Sequence, residues 1–172
     1  MTVSLYDLTV PSYLQTLGAM EGVLSKGAAH CKEKGIDPNE IVETKLAPDM
    51  LPFRFQIVAV AHHSAAALKG VMAGAFGPPA PSTADYAGLQ KLVSDARATV
   101  EKASASELNA RAGKDVIFSV GDRKIPFTSE GFLQSFSLPN FYFHATTAYD
   151  ILRSKGVPLG KRDFLGKMQI KS

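Results

Sequence analysis

The sequence predicts an all-α domain: a bundle of four helices with a small β-hairpin inserted before the last one. Three observations carry this expectation. Apolar residues recur at alternating three- and four-residue steps in three separate segments, the spacing of a single buried helical face. Another segment is apolar on nearly every side, as suits a helix in the middle of a bundle. Only one stretch, "DVIFSVGDRKIPF", is rich in β-formers. At 172 residues, 45% apolar and 20% charged, the chain fits one domain, residues 1–172, with one sizeable core.

The first helix is expected to open at Pro11, whose missing N–H costs nothing in a first turn. Leu14, Leu17, Leu24, Ala28 and Cys31 then mark its buried stripe, and Gly35 closes it behind the cationic "KEK". The second helix follows Pro48 and Pro52 and meets no breaker before Gly70. Its polar residues stand out against Ala, Val and Ile. Gln56 and His63 are seven apart and share a face, while His62 points about 100° away, towards solvent. The third helix follows the proline-rich "GPPAPST", with Ser82 and Asp85 spaced as a capping pair. Tyr86, Leu89, Val93, Ala96, Val100 and Ala103 give it the cleanest heptad stripe in the chain.

The hairpin turns at Gly121-Asp122, and Pro126 belongs on an exposed edge because it cannot donate to a ladder. Two strands are marginal alone and should lie against the helices. The fourth helix is expected to be capped by Ser137, with Pro139 in its first turn. Leu138, Phe141, Ala145, Ala148 and Leu152 form its stripe, and Gly156 ends it. "SEGFLQSF" before it reads as a separate turn or a kinked extension. The last residues read as a strap with a loose tail.

The net charge of +3 is uneven: six Lys or Arg face two Asp from Asp150 to Ser172, leaving −1 for the rest. No nucleic-acid-binding module accompanies this basic tail, so no nucleic-acid partner is expected. The lone cysteine, Cys31, rules out an internal disulfide and a cysteine-based zinc cluster, and its place on an apolar stripe makes it a buried thiol. No basic region precedes an apolar run at the amino terminus, and no apolar stretch reaches about 18 residues. The expectation is a cytoplasmic protein without a membrane partner. Phosphate loops, nucleophile elbows and His-Glu-x-x-His runs do not occur.

Two blocks, "LAPDMLPFRFQ" and "SLPNFYFHATTAYDILRSKGVPLGKRDFLG", resemble a bacterial branch of unknown function in the DinB/YfiT-like bundle superfamily. That resemblance implies an up-down-down-up bundle and, commonly, a homodimer. It also implies a pocket at one end of the bundle where three histidines hold a divalent metal, one from the second helix and two from a His-x-x-x-His pair on the fourth. Here His144 matches the first histidine of that pair, but Ala148 stands where the second should be. Gln56 occupies the second-helix place, with His63 two turns further on. A neutral amide is a poor donor to zinc or nickel, so no native metal is expected. Were one bound, His144 and His63 would be its ligands.

His144 therefore has two readings. Its ring bonds a buried partner such as Gln56 and fixes the register of the second and fourth helices, or it acts as a general base. Asp49 suits a helix amino terminus; about two turns before Gln56, it also fits the mouth of the same pocket. Tyr142 and Tyr149 lie on one stripe, as aromatic core or ligand contacts. Lys161, Arg162 and Asp163 are a solvated cluster or a pin for the strap. The expected ligand-binding set is thus Asp49, Gln56, His63, Tyr142 and His144. The function read from the sequence is a dimeric bundle with a small-molecule pocket between the second and fourth helices. Its alternative is a degenerate metal- and thiol-dependent transferase or hydrolase using His144. The apolar "FQIVAVA" and aromatic "FYF" runs argue for the dimer, as surfaces a second subunit would cover.

Overall fold

A computed structural model describes residues 3–171; Met1, Thr2 and Ser172 of the expected 1–172 domain lie outside the described residues. The chain is mostly helical, with a small three-stranded mixed sheet. Helix α1 (Leu5–Lys34) starts a turn and a half before Pro11. Its start is set by a capping box that the proline obscured: Ser4 Oγ accepts from Asp7 N, and Asp7 carboxylate accepts from Ser4 N. Pro11 sits inside the helix and deletes one ladder bond, a defect held in place by the fully buried neighbours Val10 and Tyr13. Gly35 ends α1 at φ 67°, as expected. Cys31 is buried on it.

After a short α2 (Asn39–Val42), the second long helical run comprises α3 (Phe53–Ala61), a π turn (His62–Ala66) and α4 (Ala67–Ala73). It outruns the expected end at Gly70 and stops at Gly74, φ 72°. Gly70 has another role. A Cβ there would lie 2.9 Å from Phe76 Cδ2 and 3.1 Å from the Ala75 carbonyl, so its hydrogen lets β1 (Ala75–Phe76) fold back onto α4.

Helix α5 (Tyr86–Glu101) is capped by Asp85, which accepts from Gly88 N at 2.7 Å. Ser82 serves the turn before it instead, accepting from Ala84 N. The heptad stripe is buried from Tyr86 to Val100, with Ala103 packed against the core. A short α6 (Ala105–Asn109) leads into the hairpin of β2 (Asp115–Val120) and β3 (Arg123–Thr128). The two-stranded ribbon expected from sequence is one strand short: β1 pairs in parallel with β2, Ala75 opposite Ile117. Two residues are too few to leave a periodic signal. Pro126 lies on the edge strand β3 and is exposed.

Of the two readings of "SEGFLQSF", the structure shows the extension, so the fourth helical run starts before Ser137. Thr128 caps α7 (Ser129–Gly131), a π turn (Phe132–Ser137) follows, and α8 (Leu138–Ser154) continues without a break. Ser137 is helical, φ −68° and ψ −53°, and caps nothing. The widened turn makes room for Pro139, which has no N–H for the ladder and would crowd a regular turn upstream. The strap forms α9 (Lys161–Leu165) across α1. Asp163 pairs with Lys26 at 2.6 Å, and Gln15 donates to the Leu165 carbonyl. Buried side chains from α1 to the strap make one continuous core.

Candidate functional site

The site is built where the two π turns face one another. A π turn has a widened ladder and turns its side chains and carbonyls out of the regular helical phase. In the first, the His63 carbonyl accepts a hydrogen bond from Ser137 Oγ of the second at 2.7 Å. Since Ser137 donates there, it accepts from the Tyr13 hydroxyl, 2.9 Å away on α1. Tyr13 and Ser137 are fully buried. Burial pushes the Tyr13 phenol far above its usual range, so it stays a donor and the relay runs in one direction from α1 through the second π turn to the first. The sequence marked Ser137 only as a helix cap and gave no sign of Tyr13, because a tyrosine and a serine 124 positions apart carry no local signal of their contact.

Two turns away, α3 and α8 are joined by side chains. His144 Nδ1 lies 2.7 Å from Gln56 Oε1, while Gln56 Nε2 donates to the Leu51 carbonyl at 2.8 Å. The second bond orients the amide, and the amide then sets the imidazole. Oε1 can only accept, so His144 donates from Nδ1 and carries its free lone pair on Nε2. Phe55 and Phe143 stand edge-on to the ring, with centroids at 5.6 and 5.2 Å. Desolvation in this setting lowers the His144 pKa to about 4. The ring is neutral at pH 7.

His63 lies beside it, 6.0 Å between centroids and 15° from parallel. It is 6% exposed, and its Nδ1 is enclosed without a hydrogen-bond partner among the described residues. Burial, with His62 and His144 nearby, lowers its pKa to about 3. His62 is half-buried rather than turned to solvent, its Nε2 held 2.7 Å from the Gly77 carbonyl.

Gln56, His63 and His144 thus come together; the other two candidates do not join them. Asp49 is exposed in the turn before α3, which begins only at Phe53, so the assumed helical phase linking it to Gln56 does not exist. Tyr142, 39% exposed, lines a shallow depression with Leu46, Met50 and Phe143. Tyr149 packs on Phe164 beneath the strap. Most of "FQIVAVA" is buried within the chain itself, since α3 is covered by both α5 and α8. Of "FYF", Phe141 is buried and Phe143 is 58% exposed.

The donors do not suit the metal ion implied by the superfamily resemblance. Gln56 is engaged through both amide atoms, and Ala148 offers a methyl. Of the implied donor set only the two imidazoles of His63 and His144 remain. Among the described residues no three His, Cys, Asp or Glu side chains converge on a point. Zinc and nickel sites need three or more such ligands.

A family model described as Domain of unknown function (DUF1993) matches residues 5–165. Among solved structures, the crystal structure of a DinB family member protein from Shewanella denitrificans is similar with a TM-score of 0.80 and 26% identity, covering 98% of this chain and 95% of that chain. No curated protein matches the chain.

Proposed function

Because the chain belongs to the DUF1993 family, within a DinB-like superfamily, we propose that it is a bacterial, cytoplasmic binding protein: a homodimeric up-down-down-up bundle that takes a small molecule between α3 and α8. The observation that carries this reading is the Leu51–Gln56–His144 chain. It holds a neutral imidazole with its Nε2 acceptor available, between two phenylalanine edges. Such a site selects ligands that donate a hydrogen bond and carry an apolar or aromatic body. An unprotonated Nε2 is also the form a general base needs, which keeps the transferase reading as second. A conjugate acid of pKa about 4 is a weak base for work at pH 7, so binding is favoured.

Paired substitutions and a chelator test this reading. His144→Gln keeps a polar partner for Gln56 and costs about 1 kcal/mol, whereas His144→Leu strands Gln56 Oε1 and costs about 1–3 kcal/mol. Chelator leaves the wild-type melting temperature unchanged. A wild type destabilised by chelator, with both variants equally damaged and indifferent to it, would make His144 a metal ligand instead.

The second subunit is assigned to the depression at Leu46, Met50, Tyr142 and Phe143, where apolar side chains face outward together. Light scattering should give the dimer mass at tens of micromolar. A monomer mass with no concentration dependence retires that part.

A further inference from the structure

Along α3 and its continuation three cavities run end to end, the first sharing Leu51 and Phe55 with the α3–α8 site. The first, about 340 Å³, lies between Leu51, Phe55 and the loop at Pro79–Ser82. The second, about 300 Å³, shares Val58, Pro79 and Ala80 with it and is floored by Ala61, Ala65 and Ala66. The third, about 360 Å³, shares Ala65, Lys69 and Thr99 with the second and ends at Met72 and Leu108. The trough exists because alanines face one another there. Ala65 and Ala66 on the π turn and Ala96 on α5 are too short to fill the space between their helices. From Phe55 to Lys69 the helical run rises about 20 Å, long enough for an extended long-chain alkyl group.

Charge gives the trough a direction. Lys69 and Lys102 line the third cavity, are exposed, and make no ion pair among the described residues. Asp95, on the second cavity, is held by Lys91 at 2.6 Å. Glu107 is the remaining carboxylate at the cationic end. At the opposite end Arg54 is paired with Glu43, so that end carries no free cation. Leu51 and Met72 expose apolar surface at the two mouths. The middle of the floor is made of the methyl groups of Ala61, Ala65 and Ala66, with His62 and Leu92 beside them and larger apolar side chains, Phe55 and Met72, towards the two ends.

We infer that this trough binds a single-chain amphiphile with an anionic head, the head between Lys69 and Lys102 and the chain lying over Ala65 and Ala66 towards Phe55. Burial of the alkyl chain drives binding, and the lysines select the head. The site goes beyond the proposed α3–α8 site and stands without it.

Hexadecanoate, hexadecan-1-ol and anionic phosphatidylglycerol vesicles serve as probes on the full chain. Free hexadecanoate should displace a fluorescent naphthalene sulfonate saturably, one per chain, with hexadecan-1-ol at least about tenfold weaker. Lys69→Glu should weaken hexadecanoate about fivefold to tenfold. Ala66→Phe should abolish binding while keeping the wild-type melting temperature. Should that variant unfold, Ala80→Trp plugs the same trough from an exposed loop position and gives the same loss. Saturable binding of the free acid without co-sedimentation supports the inference. Co-sedimentation with the two-chain lipid vesicles but no saturable binding of the free acid overturns it, because the lysines would then act as a surface patch. Binding of neither probe, equal affinity for acid and alcohol, or a plugged variant that binds like wild type overturns the inference. So does a wild type that ignores hexadecanoate but loses its dimer in Ala66→Phe, which would give the trough to a second copy.

Discussion

Acidification from pH 7 to pH 4 lowers the unfolding free energy by an amount on the order of 3–5 kcal/mol, well before the carboxylates titrate fully. The cause is the pair of neutral rings at the π turns. An unfolded histidine takes up its proton near 6.5, but burial holds His144 at about 4 and His63 at about 3. Between those values the unfolded chain binds more protons than the folded one. Stability is therefore complete above about pH 6.5 and falls as the pH drops towards the folded values. Each ring contributes up to about 1.4 kcal/mol per pH unit in that window, less for His144, whose ring is partly solvated. His62 is shifted the same way by burial, partly opposed by its bond to the Gly77 carbonyl, and adds to the slope. Urea titrations at several pH values measure it. His63→Gln with His144→Gln should flatten the curve between pH 6.5 and 4. An equally steep curve in that double variant would show that the acid sensitivity lies elsewhere.

Ser137→Ala should cost about 2–4 kcal/mol, more than its small size suggests. The hydroxyl stands between two buried groups, receiving from Tyr13 and donating to the His63 carbonyl. Without it the phenol keeps a desolvated donor with no acceptor, and the carbonyl loses the bond that ties the two π turns. Tyr13→Phe is the control. It removes the donor itself and leaves Ser137 still bonded to His63, so it should cost only about 0.5–1.5 kcal/mol. Denaturant midpoints at unchanged slope would report both values. Equal costs for the two substitutions would mean that the relay acts as ordinary packing and that the π turns are held by something else.

The helical architecture was legible because each stripe is a local property of a short stretch. The spacing from Tyr86 to Ala103 suffices to predict α5 with its buried face, and Gly35 suffices to end α1. Starts were harder to read than stripes. Pro11 and Ser137 have the chemistry of helix openings, yet the Ser4–Asp7 box and Thr128 open those runs earlier. A proline or serine inside a helix is tolerated when the packing around it is rigid enough, and sequence alone does not report that rigidity. Strand β1 was invisible for a related reason: two residues gain their pairing from β2, forty positions away, and from the space above Gly70.

For the site, the sequence determined the identities that matter. It supplied Gln56 opposite His144, with Ala148 where a second histidine would complete a metal pair, and those residue types set the available chemistry. Only the tertiary structure decided which of them meet. It turned Asp49 and Tyr142 away, brought His63 against His144 through a π turn, and joined Tyr13 to Ser137 across the core. The physical reason is range. Helical periodicity is fixed by bonds spanning four residues, whereas a side-chain contact between helices depends on the phase of both. One widened turn in either helix rotates every side chain beyond it by about 100°.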